Sequence, residues 1–189
     1  GAVEQSAGDE VTLRSLIASA GSNPTSITIY DDIPITTTNL TIPSNIHLRF
    51  KEDGKLSPAS GITLTVNGSW DAGLWQIFGL EGTITGDPSI PCLYPQWFGA
   101  VINDDTAGIN NYLAIRRTLA MALAPSGAGV LEGQKRIHFT AGKWFIRGNS
   151  PFCFNRTEMT SLPGNYRYRR GLKISGDGRN SSILILENA

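Results

Sequence analysis

Residues 40–50 read Leu-Thr-Ile-Pro-Ser-Asn-Ile-His-Leu-Arg-Phe. Two short runs of alternating apolar and polar residues flank a Pro-Ser-Asn turn. Alternation puts every second side chain on one face, as a half-buried strand requires. The same grammar continues outward, with ITIY at 27–30, ITLTV at 62–66, WQIF at 75–78 and TIT at 83–85. Thr, Ile and Val dominate these runs, and branched side chains favour extended backbone. Turn residues separate them at Asp31-Asp32, Asp53-Gly54, Asn67-Gly68 and Gly86-Asp87-Pro88.

A weak repeat runs through this region. Leu40, Ile62 and Ile84 are spaced by 22 positions, as are Thr41, Thr63 and Thr85, and Pro34, Leu56 and Phe78. A coil of roughly twenty-odd residues suits a β-solenoid, in which no coil buries its interior alone and stacked coils share one apolar core. An antiparallel sandwich gives similar strand spacing.

Two helices are expected. In DEVTLRSLIASA (9–20), Val11, Leu13, Leu16 and Ile17 recur near helical spacing. Asp9 or Thr12 is placed to cap it and Gly21 to end it. Farther on, Ile109, Tyr112, Ile115, Leu119, Ala122 and Leu123 form one apolar stripe, leaving Arg117, Thr118 and Met121 on the other side. Asp104, Asp105 and Thr106 stand where side-chain oxygens accept from free N–H groups at a helix start. Strands resume with RIHF (136–139) and KWFIRG (143–148) around Ala141-Gly142. After a polar insertion at 149–170, Leu172 and Ile174 alternate, Gly176-Asp177-Gly178 turns the chain, and Ile183–Leu186 is apolar throughout. Such a run predicts a strand covered on both faces.

The totals bound the rest. A chain of 189 residues, 40% hydrophobic and 17% charged, is long enough for a core. No apolar run reaches 18 residues, so no membrane insertion is expected. Residues 1–94 hold ten Asp/Glu against four Lys/Arg, and residues 95–189 hold six against twelve. That asymmetry favours docking of the halves or association of identical chains over an acidic partner, because no basic helix accompanies it. Cys92 and Cys153 lack metal-ligand spacing. No cofactor and no metal is expected.

The stretch Tyr94-Pro-Gln-Trp-Phe-Gly-Ala100 joins the strand-rich part to the second helix. It opens a distinctive series: Trp97-Phe98-Gly99-Ala100, then Asn103-Asp104-Asp105-Thr106, a helix carrying Ala114-Ile115, Phe139-Thr140-Ala141-Gly142-Lys143-Trp144, and Gly176-Asp177-Gly178-Arg179-Asn180-Ser181-Ser182. This series resembles the opening of pectate-lyase-like right-handed parallel β-helices, closest to those of bacteriophage tailspikes and depolymerases. The usual Gly before the acidic pair is missing here, and Thr140 stands where Pro is common. The resemblance covers residues 94–189, and 33–93 more loosely.

The resemblance implies a mainly β fold: the start of a right-handed parallel β-helix with short capping α-helices. Residues 11–93 are then a strand-rich capping segment and 94–189 the first coils, while residues 1–10 carry none of the resemblance and are expected to be a tag or linker remnant. It implies a homotrimeric virion tail protein that binds, and in full-length form degrades, bacterial surface polysaccharide, with catalytic residues beyond residue 189. This piece is then mainly structural, without a complete active site. The alternative is a secreted bacterial polysaccharide lyase or glycoside hydrolase of the same class with its site on this chain.

Individual residues also have simpler roles open to them. Trp97 and Phe98 are expected to plug a seam, with Gly99 turning the backbone. Asp104-Asp105 is an adjacent carboxylate pair, but capping explains it more simply than acid–base chemistry. Asp31-Asp32 and Glu52-Asp53 fit turn chemistry. Gly176 and Gly178 lack the helix that a nucleotide loop needs after it. His47 and His138 are isolated in sequence, each expected as a packed or solvent-facing strand residue. Trp70 and Trp75 suit a core or interface better than a sugar platform. Tyr166, Arg167, Tyr168 and Arg169 interleave rings and cations, so they are the sugar-contact candidates. The same mixture suits a loop or an interchain contact, and no nucleic-acid partner is expected.

Overall fold

The computed structural model describes residues 3–122, 135–147, 173–178 and 181–187. These are mainly strand with two α-helices. The chain divides into two compact units, Gly1–Ile90 and Pro91–Ala189.

The first unit opens with β1 (Val3–Ala7) and α1 (Glu10–Ala20). Three strands come next: β2 (Thr25–Ile29), β3 (Asp32–Ile35) and β4 (Leu40–Ile42). Then come β5 (Ile46–Phe50), β6 (Lys55–Pro58) and β7 (Thr63–Val66), and after them β8 (Ser69–Asp71) and β9 (Thr83–Thr85). All pairings are parallel, in three ladders: β1-β2-β5-β8, β3-β6 extended by a bridge from Leu56 to Phe78, and β4-β7-β9. The chain visits these ladders in one order: β2, β3, β4, then β5, β6, β7, then β8, Phe78, β9. Residues 3–7, expected to be part of a remnant, pair along their whole length with β2.

Register explains the core. In-register parallel strands put like positions above one another, and period-two alternation sends one set inward. Ile27 lies beside Leu48, and Leu48 beside Trp70. Ile33 lies beside Leu56, which bridges to Phe78, and Ile42 lies beside Val66. All eight are buried, each aliphatic contributing on the order of 1.5–3 kcal/mol relative to exposure. Phe78 meets the edges of Phe50 and Trp70 at ring-centroid distances of 5.9 and 5.4 Å.

The repeat differs in detail from the 22-residue spacing. Leu40 pairs with Leu64, not Ile62, and Thr41 with Thr65, not Thr63. Leu64 then pairs with Ile84, and Thr65 with Thr85. Leu56 and Phe78 do align, but over Ile33 and not Pro34. The steps are therefore 24 then 20 residues in this ladder, which average to 22. The cause is turn length: Lys51–Gly54 separates β5 from β6 by four residues, where Tyr30-Asp31 separates β2 from β3 by two. Gly54 is required there because a Cβ would collide with the Ile29 carbonyl oxygen. WQIF is not a strand; it contributes only the Phe78 bridge.

Helix α1 starts as expected. Asp9 Oδ1 accepts from Thr12 N at 2.8 Å, and Gly21 ends the helix at φ 54°. Leu13 is buried, but Val11, expected on the apolar stripe, is 78% exposed. A polar latch holds the helix instead. Glu10 Oε2 accepts from Thr36 N at 2.9 Å, and Glu10 Oε1 from Arg14 Nε at 2.8 Å, while Arg14 donates to the Thr38 carbonyl.

The second unit contains β10 (Cys92–Leu93), a 3₁₀ turn (Pro95–Phe98), a second (Asp105–Ala107) and α2 (Gly108–Ala122). Beyond them lie strands β11 (Arg136–Phe139), β12 (Gly142–Arg147), β13 (Lys173–Gly176) and β14 (Ser182–Glu187). Parallel ladders run β10-β11-β13 and β12-β14. Helix α2 packs on β12 and on the 95–98 turn. Its buried face is Asn111, Ala114, Ile115, Thr118, Leu119 and Ala122, with Met121 also buried. The sequence pattern puts Thr118 and Met121 on the opposite side. Thr118 is tolerated inside because its hydroxyl donates to the Ala114 carbonyl at 2.8 Å. Strand β14 also departs from expectation. Ile183, Leu184 and Leu186 are 41%, 38% and 62% exposed, because among the described residues β14 pairs with β12 alone.

Burial pushes the Glu10 carboxyl up, but the Thr36 N–H, Arg14 and Thr37 outweigh it and hold it at about 2, against 4.5 ordinarily. A depressed carboxylate stabilises the fold above its unfolded value and loses that contribution as pH falls through the folded one. Glu10→Gln should therefore lower the unfolding midpoint at pH 7, and the gap from the parent should close between about pH 4.5 and pH 2. Chemical denaturation across that range measures it.

Candidate functional site

The residues singled out from sequence take structural positions. Asp104 Oδ1 accepts from Thr106 N at 2.9 Å and from Thr106 Oγ1 at 2.6 Å, so it caps the turn leading into α2. The Thr106 hydroxyl, then its N–H, hold the Asp104 carboxyl below the usual range. Asp105 is exposed in that turn. Trp97 and Phe98 are buried within the second unit, presenting no open ring face, and Gly99 closes their turn in the left-handed region at φ 91°. Gly176 ends β13, and Gly178 takes φ 131° in the turn after it. Trp70 is a core residue. Asp32 pairs with Lys55 Nζ at 2.7 Å. Tyr166, Arg167, Tyr168 and Arg169 lie outside the described residues, as does Cys153.

The chemistry gathers where sequence reading found none. His47 on β5 stands in register with Ser69 on β8, and Asp71 lies two residues later. Period two turns Ser69 and Asp71 to one side, with Trp70 between them pointing into the core. His47 Nδ1 meets Ser69 Oγ at 2.8 Å, and His47 Nε2 meets Asp71 Oδ2 at 3.1 Å. The second unit repeats the arrangement. His138 on β11 stands in register with Ser175 on β13, and Asp177 again lies two residues on. His138 Nδ1 meets Ser175 Oγ at 2.8 Å, and Nε2 meets Asp177 Oδ1 at 2.7 Å. Ile137 and Phe139 on either side are buried, which turns His138 outward.

An ionised carboxylate only accepts, so each Nε2 carries a proton and donates it to the Asp. In the neutral ring Nδ1 then accepts from the Ser hydroxyl. Both clusters are thus Ser–His–Asp chains along which a proton can move.

Their surroundings differ. Asp71 is 77% exposed, and its single hydrogen bond among the described residues is to His47. Asp177 is fixed from three directions. Its Oδ1 accepts from His138, its Oδ2 accepts from Ala141 N at 2.7 Å, and its own N–H donates to Ser182 Oγ at 3.1 Å. Ser182 Oγ in turn donates to the Phe139 carbonyl at 2.8 Å. The His138 contact, then the Ala141 N–H, hold the Asp177 carboxyl below its usual range. Tyr94 packs its ring edge-on to His138 at 5.5 Å.

Two signals in the sequence mark these clusters. The only two histidines each come after an isoleucine in a strand-like run, and each is matched downstream by Ser-x-Asp. The separations, 22 and 24 residues in one case and 37 and 39 in the other, hide the link until strands are paired. Among the described residues no group of three His, Cys, Asp or Glu side chains is placed to hold a metal ion. No described helix is long and apolar enough to cross a membrane. The chain matches no known family, no curated protein and no solved structure.

The second cluster should matter more for the fold than the first. Asp177→Ala leaves both His138 and Ala141 N–H without their acceptor, whereas Asp71→Ala removes one exposed carboxylate from a half-buried imidazole. The unfolding midpoint should fall clearly for Asp177→Ala and stay near the parent for Asp71→Ala, as read by thermal denaturation.

Proposed function

We propose that this chain is the N-terminal portion of a right-handed parallel β-helix protein of the phage tailspike type, and that its own role is structural. The observation that carries this reading is the order of the ladders. Successive stretches of about twenty-odd residues pass through the same three parallel ladders in the same sequence, which is how a β-helix stacks coils. Further support comes from the 94–100 stretch, whose Trp97 and Phe98 are buried in a turn that packs on α2, and from the acidic pair, which leads into that helix. In this reading the whole protein is a homotrimer in a virion tail. It binds bacterial surface polysaccharide and degrades it with residues beyond this chain.

Two measurements on the purified chain test the proposal. Incubation with capsular polysaccharide should release no reducing ends and no unsaturated sugars. Release by this chain alone would replace the structural role with that of a local lyase or hydrolase. A crystal structure with left-handed winding would overturn the right-handed assignment, and one without stacked coils would overturn the β-helix itself.

A further inference from the structure

We propose that His138, Ser175 and Asp177 form an acyl-transfer site in which Ser175 Oγ is the nucleophile toward short-chain carboxylic esters. The assignment rests on the relay and on what holds it. A serine becomes a nucleophile when a base lies within hydrogen-bond reach and a third group orients that base. His138 lies 2.8 Å from Ser175 Oγ and 2.7 Å from Asp177 Oδ1. Asp177 is itself fixed by Ala141 N and by Ser182 Oγ. The first cluster is the natural comparison: it repeats the three residue types, yet its carboxylate has no such support and lies farther from the imidazole.

The reaction balances without any further reagent. Ser175 Oγ attacks the ester carbonyl carbon as its proton passes to His138 Nδ1. The imidazolium is stabilised by Asp177 through Nε2–H. The carbon–oxygen bond to the alcohol breaks, and His138 returns the proton to the leaving alkoxide. Water, deprotonated by His138, then hydrolyses the acyl-serine to a carboxylic acid and free Ser175. Attack at a carbonyl, and not at a glycosidic carbon, is indicated because glycoside cleavage needs two carboxyl groups facing one bond, and this cluster holds one. The site lies on the outward side of a ladder, with His138 17% and Asp177 43% exposed. That openness suits an ester projecting from a larger molecule.

A positioned acid–base relay is worth about 10²–10⁴-fold, enough to see with an activated ester. The chain should hydrolyse p-nitrophenyl acetate, and Ser175→Ala and His138→Ala should each lose at least about tenfold of the protein-dependent rate. Ser69→Ala, in the first cluster, should keep the parent rate. Acid-quenched parent protein should carry the acetyl group on Ser175 in peptide mass mapping, a readout that needs no variant to fold. A parent protein without acetylated Ser175, or a folded Ser175→Ala variant with the parent rate, overturns the proposal. The outcome is separate from the structural role above, because no glycosidic bond is involved.

Discussion

Everything described depends on strands paired in parallel and in register. Register alone decides that Ile27, Leu48 and Trp70 share one inward column, and Ile33, Leu56 and Phe78 another. A slip of one residue would turn every inward side chain to solvent. The steps run 21 then 22 residues in β2-β5-β8, 23 in β3-β6, and 24 then 20 in β4-β7-β9, so the inward columns survive while coil length varies. Turns absorb the difference, and they are free to do so because the ladders, not the turns, hold the core.

The same constraint builds the surface clusters. A parallel register sets His47 opposite Ser69 and His138 opposite Ser175, and period two brings an Asp alongside from two residues downstream. No local motif is needed. The two units reach one arrangement through separations of 22 and 37 residues, and differ in how firmly the carboxylate is held. Ala141 and Ser182 supply that difference, because the β11–β12 and β13–β14 connections bring them beside Asp177.

Much of the fold is legible in the sequence because the signals are local. Asp9 and Asp104 announce helix starts through short side chains and nearby N–H groups. The runs 40–42, 46–50 and 83–85 show their strands by alternation. Strands β3, β6 and β8 carry no such mark. Asp-Ile-Pro-Ile, Lys-Leu-Ser-Pro and Ser-Trp-Asp are brief, two of them hold proline, and their extended shape comes from the neighbouring ladder. The apolar stripe understates the buried face of α2 because Thr118 satisfies its hydroxyl within the helix. The clusters are not legible because pairing, not sequence distance, brings their members together. The mainly β class rests on the strands themselves, whereas the proposed tailspike reading draws on resemblance and on ladder order.

Register is the most direct point of test. With Cys92 and Cys153 replaced by serine, cysteine pairs would be introduced at Thr41 with Thr65 and, separately, at Thr41 with Thr63. Paired Cα positions in adjacent strands fall within disulfide reach, while a two-residue offset strains the bond. The account predicts rapid oxidative crosslinking of the 41–65 pair and little of the 41–63 pair. Preferential crosslinking of the 41–63 pair would contradict it, because the columns that make the core would then be wrongly aligned.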